Sequence, residues 1–295
     1  MSTTQQQQAE QAASWLGCDA TELMDEFALN SIVSSKAQTF PPQKIVIYGT
    51  PGIGKSTFAA TFQKPILLRF EDGAAALDIP TFPKVFTCLG DLNKAIKALK
   101  GQHDFKTVII DSLDWMEPHV WNHTCQKHEA DPDKGIEQFG YGKGYVHADK
   151  VWQNIQKELT KTCLDRGMNV IVIAHAVPVT VDPPDSDPYQ RYSLKLHKRA
   201  AALWMEWADM ILFANYKMHV VKDANDKKAK GKAIGAGERL IYTQERPAYQ
   251  AKSRWPLDEE IRIGNDPTWS AFHENLMEAT SGAYQYTPSI TTAGE

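Results

Sequence analysis

Apolar residues recur along this chain with two alternating rhythms. Short aliphatic runs, bounded by polar or glycine-rich breaks, fall at 44–48, 65–70, 84–87, 107–111, 169–174 and 209–214. Runs of that kind read as strands buried on both faces of a parallel sheet. Between them, at 55–63, 91–100, 113–129, 148–166 and 196–207, apolar positions return at helical spacing. The alternation predicts an α/β fold, a mostly parallel sheet with helices on both faces. After Ala214 the pattern shifts to short alternating strands, 216–222 and 238–244. They flank a Lys/Gly/Ala-rich segment from Asp223 to Gly237, which predicts a C-terminal β-hairpin extension with a long tip. Outside a core of 41–265, residues 1–40 form an N-terminal arm. Met1 to about Gln11 is glutamine-rich and expected to be disordered. Leu23, Met24, Phe27 and Leu29 follow Thr21 at helical intervals. Residues 266–295 read as a helix and a loose tail that is Thr/Ser/Gly-rich after Ser281.

The first strand leads into Gly49-Thr50-Pro51-Gly52-Ile53-Gly54-Lys55-Ser56, with Thr57 following in the helix. Strand, glycine-rich loop and helix are the context that gives G-x-x-x-x-G-K-[ST] its meaning as a P-loop. Small residues let successive backbone N–H groups converge on phosphate oxygens at a helix N-terminus. Lys55 is placed to reach the β and γ phosphates, and the Ser56 hydroxyl to hold Mg²⁺. The expected ligands are ATP and Mg²⁺.

Three further strands end in chemistry. The second ends at Glu71-Asp72-Gly73, on the edge where ligands of open α/β sheets bind; Glu71 there can orient or deprotonate a water. The competing reading is a solvated acidic turn. Thr107-Val108-Ile109-Ile110-Asp111-Ser112 has the Walker B form, with Asp111 on Mg²⁺ opposite Ser56. The strand 169–174 ends at His175, which is either a γ-phosphate sensor or a plain strand-end histidine.

Composition narrows the partners. The 295 residues carry a net charge of −4, so any contact with nucleic acid must come from local basic patches. Four cysteines without paired spacing, no signal peptide and no bilayer-spanning run lead us to expect reduced thiols in a cytoplasm and no membrane partner. Phe139-Gly140-Tyr141-Gly142-Lys143-Gly144-Tyr145 interleaves aromatics, glycine and a lysine; Tyr141, Lys143 and Tyr145 suit base stacking and phosphate contact, or else a packed turn. The second candidate loop, 177–196, carries Arg191, Tyr192 and Lys195, with Lys198 and Arg199 after it. Lys228 and Lys230 mark the hairpin tip. His119, His123, Cys125 and His128 tempt as a zinc set, but the spacing points Cys125 away from the His119/His123 face. The better reading is a helix covering the sheet, with Trp115 and Trp121 buried and Trp204 and Trp207 in core or subunit contacts.

The order of P-loop, Glu after the next strand, Walker B and polar strand end resembles the RecA-type ATPase core. In the AAA+ arrangement the acid directly follows the Walker B Asp, where this chain has Ser112. GTPGIGKST, FEDG, FGYGKGY, NVIVIAHA, YSLKLHKRAAALWMEWADMILFAN and AKSRWPL resemble the short RecA-like recombinases of bacteriophages, the Sak group of single-strand annealing proteins, over about Lys44 to Ile263. The resemblance implies a phage-encoded protein of the bacterial cytoplasm that binds single-stranded DNA and anneals it during recombination. It also implies a homo-oligomer, ring or filament, and a single-stranded-DNA-binding protein as a further partner. Lys252 and Arg254 resemble the Lys-x-Arg element that RecA-like rings insert into a neighbour's site, giving composite ATP sites with Glu71 as base and His175 as switch. Alternatives are a replication ring ATPase of helicase or loader type, and a nucleotide-switched regulatory ATPase that does not touch DNA.

Overall fold

The computed structural model describes residues 40–73, 77–221 and 232–286, which belong to one compact unit beginning at Phe40. Residues 1–39 of the N-terminal arm, including the helix expected at 19–32, the tip lysines Lys228 and Lys230, and the end of the tail lie outside the described residues.

Strand β1 (Lys44–Gly49) is central. Ile45 and Ile47 point to one face of the sheet and Val46 and Tyr48 to the other, so a β-branched run is buried on both sides. It is flanked by β4 (Asn169–Val181) and β6 (Met210–Val221), both parallel to it. Beyond β4 come β3 (Thr107–Asp111) and β2 (Pro65–Arg69), also parallel. Beyond β6 the sheet turns antiparallel through β7 (Lys232–Tyr242) and β9 (Glu260–Gly264), giving the order β2-β3-β4-β1-β6-β7-β9. The short β8 (Lys252–Ser253) pairs with the start of β6.

Helices cover both faces, as the alternation predicted. One face packs α2 (Leu89–Ala98), α3 (Leu113–Lys127), α4 (Lys143–Cys163) and α5 (Lys198–Trp207). The other carries α1 (Lys55–Ala60) and α6 (Ser270–Ala279). Glu117 of α3 caps the start of α5, accepting the His197 N–H at 3.0 Å. Burial pushes the Glu117 carboxyl up to about 7, against the pull of that backbone bond.

Several expectations are corrected. Residues 84–87 are not a strand. Pro80 and Pro83 remove backbone donors beside β2, and pairing there shrinks to the Leu67/Thr81 bridge and the Phe86 N–H on the Arg69 carbonyl. The 177–196 segment is not a loop: β4 runs on to Val181 and pairs with β5 (Tyr189–Leu194) as an antiparallel hairpin. The stretches 209–214 and 216–222 are a single strand, and its partner starts at Lys232, inside the expected tip. The helix expected at 148–166 begins at Lys143, so Lys143 and Tyr145 stand in its first turn. Trp115, expected in the core, is 54% exposed; α3 turns this position outward. Trp204 is fully buried, stacked edge-on against Trp152.

Candidate active site

The P-loop leaves β1 and enters α1 without a side-chain cap, through Gly54 at φ 101°. That left-handed conformation, and a Cβ that would sit 2.9 Å from the Trp269 ring, exclude a larger residue there. The loop, Glu71, Asp111 and His175 line one cleft of about 340 Å³. Residues far apart in sequence thus meet because β1, β2 and β3 end, and β4 passes, at the same edge of the sheet.

Lys55 is buried and its Nζ donates to the Gly49 and Thr50 carbonyls at 3.2 and 3.0 Å. Burial lowers its pKa, partly offset by Asp111, Asp114 and Glu71. Phosphate oxygens offer that ammonium stronger acceptors than neutral carbonyls. The Ser56 hydroxyl donates to Asp111 Oδ2 at 2.6 Å, which joins the two groups assigned to Mg²⁺. Asp111 Oδ1 is buried without a hydrogen-bond partner among the described residues. A buried carboxylate oxygen left over beside a hydroxyl and a second carboxyl fits a divalent cation shared with phosphates. Ser56 and Asp111 would hold it, and it would supply charge neutralisation on the β and γ oxygens.

Glu71 has a raised pKa, first because it is desolvated and then because the Asp111 charge opposes its ionisation. Asp111 is also raised, by burial, against the pull of the Ser56 bond. The Asp111–Ser112 peptide is cis.

His175 is the last residue of β4 paired with β1, opposite Gly49, and Ala176 is the first paired with β5. Asp114, in the first turn of α3, holds it twice. The carboxylate accepts the His175 backbone N–H at 3.1 Å and Nδ1 at 2.8 Å. Burial pushes Asp114 up, but the His175 bonds prevail and leave its pKa lowered. The Lys195 N–H donates to the His175 carbonyl at 2.8 Å, and Lys195 Nζ lies 3.9 Å from Asp114. The hairpin is therefore tied at its root to the cleft. Sequence reasoning missed Asp114; its position after Walker B was visible, its partner was not.

Lys252 and Arg254 are elsewhere. β8 pairs with the start of β6, at the sheet end opposite the P-loop. Lys252 Nζ donates to the Met205 carbonyl at 2.8 Å. Arg254 is 65% exposed at its side chain and lies 3.2 Å from Asp209. Neither reaches the cleft of its own chain.

The DNA candidates divide. Tyr141 is fully exposed at φ 48°, just before α4. Tyr145 stacks on His197 at 3.7 Å and hydrogen-bonds Glu137. Gly144 is a packing glycine, since a Cβ there would lie 2.3 Å from the Ile136 carbonyl. Arg199 pairs with Asp149 at 2.5 Å and Arg191 with Glu245 at 3.1 Å. Tyr192 stacks on Phe213. Lys143 and Lys198 open α4 and α5. Of the rejected zinc set, Cys125 is buried, His119 lies against Phe70 and His128 against His147.

A family model described as an AAA domain matches residues 41–255. An uncharacterized protein derived from the SPbeta prophage of Bacillus subtilis, YorG, is 27% identical over 190 residues, 62% of this chain and 54% of that protein. The chain spans about half the length of the curated relative it matches. Among solved structures, a RadB recombinase has a TM-score of 0.42 at 13% identity, covering 76% of this chain and 89% of its own. A KaiC-like protein from Pyrococcus horikoshii has a TM-score of 0.36 at 12% identity, covering 77% and 87%.

Proposed function

From the premise that the chain belongs to the AAA-domain family, we propose that it is a RecA-like ATPase that binds and anneals single-stranded DNA as a homo-oligomer. The observation that carries the ATPase reading is the Ser56–Asp111 bond of 2.6 Å, in a cleft also lined by Lys55, Glu71 and His175. Lys55 and the loop N–H groups bind the phosphates. Glu71 accepts a proton from the water that attacks the γ-phosphorus; the bond to the β–γ bridging oxygen breaks, and ADP and phosphate leave. The raised pKa of Glu71 suits a base.

The DNA reading rests on the hairpins. β4 and β6 flank the P-loop strand and continue past it, and His175 sits where β4 changes partner. A γ-phosphate felt at His175 would shift the β4–β5 hairpin, coupling nucleotide to DNA affinity. Arg254, exposed at the far end of the sheet, is available to a neighbouring subunit's γ-phosphate. The prophage origin of the relative suits a phage-encoded recombination protein.

The deciding measurement is ATP turnover with and without single-stranded DNA, alongside annealing of complementary strands. Lys55→Ala should lose ATP binding and turnover. Turnover indifferent to DNA, with no salt-sensitive DNA binding, would reject the annealing role.

A further inference from the structure

The direction in which a nucleotide crosses the P-loop follows from the strand order. Glu71 just past β2, Asp111 at the end of β3 and His175 in β4 opposite Gly49, the groups assigned to the γ end, all stand on one side of β1. The nucleoside end must then leave on the other side, over β6 and β7.

Two side chains stand there that phosphate chemistry does not use. Tyr216 of β6 and Arg239 of β7 are cross-strand partners. They face the α1 side of the sheet, because Ala214 and Ile241, two positions along each strand, belong to the core under α1. Tyr216 is 36% exposed. Arg239 is fixed: Nε donates to the Gly264 carbonyl at 2.8 Å and Nη2 to the Asp266 carbonyl at 2.9 Å. One face of its guanidinium lies over the Trp269 ring, 5.0 Å from the centroid. Nη1 is turned to the P-loop, 3.0 Å from where a Cβ on Gly54 would stand, and it has no hydrogen-bond partner among the described residues.

We propose that Tyr216 and Arg239 form the nucleoside subsite. The base of a nucleoside triphosphate packs on the Tyr216 ring, and Arg239 Nη1 donates to an acceptor on the nucleoside. The proposal rests on the nucleotide reading of residues 49–57. A pre-bonded guanidinium loses little freedom on binding. An aromatic face accepts any base and favours the larger purine surface, so ATP and GTP should bind more tightly than UTP.

The test separates the two readings by using inorganic tripolyphosphate, which carries the phosphates without a nucleoside. Binding of ATP and tripolyphosphate, each with Mg²⁺, is measured calorimetrically on the full chain. Tyr216→Ala and Arg239→Lys should each weaken ATP about tenfold and leave tripolyphosphate affinity unchanged, while Tyr216→Phe keeps both. Tyr216 is exposed, so its variants test the subsite even if Arg239→Lys fails to fold. Unchanged ATP affinity in Tyr216→Ala, or equal loss of both ligands, overturns the subsite. If instead Lys55→Ala binds ATP as the parent does, the nucleotide reading itself falls.

Discussion

The hydroxyl of Tyr48 ties the P-loop strand to a distant segment of the chain. It donates to the Gln250 carbonyl at 2.7 Å, accepts the Gln250 N–H at 3.0 Å and lies 3.3 Å from the Tyr192 carbonyl. Its pKa is raised by burial. Tyr48→Phe leaves buried backbone groups short of a partner, and urea unfolding should show a loss of about 1–3 kcal/mol. The same logic governs Asp114. Asp114→Asn keeps the volume but weakens the hold on His175, so basal turnover should persist while its response to single-stranded DNA falls. An unaltered DNA response in that variant would disconnect His175 from the hairpin. Lys55, Ser56, Glu71 and Asp111 were legible in the sequence because each ends or follows a recognisable strand. Asp114, Tyr216 and Arg239 were not, because their meaning comes from contacts across the fold that no local spacing encodes. Tyr145 was misleading: an aromatic among glycines reads as a free stacking platform, whereas it packs on His197.

Among the elements, α6 packs on the P-loop helix through Phe272 against Phe58 and is hydrogen-bonded to that helix's C-cap residue, Thr61, by a histidine. His273 is fully buried, its Nε2 2.6 Å from Thr61 Oγ1 and its Nδ1 2.7 Å from the Tyr284 hydroxyl, with Tyr286 stacked on it at 3.9 Å. Burial drives its pKa down to about 3, with only a small opposing pull from Asp266. The ordinary value of about 6.5 belongs to the unfolded chain, so that chain takes up the proton first. The stability from a neutral His273 is therefore full above about pH 6.5 and is lost as pH falls toward 3, with a slope near 1.4 kcal/mol per unit. Melting temperature followed from pH 7 to 4.5 should fall less steeply in His273→Gln than in the parent. The parallel strands were readable as apolar runs. The β4–β5 hairpin was hidden because its half-exposed residues mix Pro178, Thr180 and Gln190 with Val179 and Val181, and pairing decides what periodicity does not.

For the whole molecule, the separation of Arg254 from the cleft has a kinetic consequence. If Arg254 completes a neighbour's site, turnover per chain should rise with protein concentration. Glu71→Gln and Arg254→Ala, each nearly inactive, should recover activity when mixed, since some interfaces then combine an intact base with an intact cation. Full turnover in Arg254→Ala alone would remove it from the mechanism.

β4 and β6 pass the P-loop on either side and do not stop there. The stretch Ala176–Val181, roughly 20 Å long at about 3.3 Å per residue, is one arm of a hairpin whose other arm is held to 245–250 by the Arg191–Glu245 pair and the Tyr192 N–H on the Ala248 carbonyl. A tilt of a few degrees where β4 changes partner, between His175 and Ala176, would carry the far end by on the order of 1–2 Å. If the proposed contact of a γ-phosphate with His175 moves that point, the hairpin would act as a lever whose output grows with its length and is opposed by its ties to 245–250.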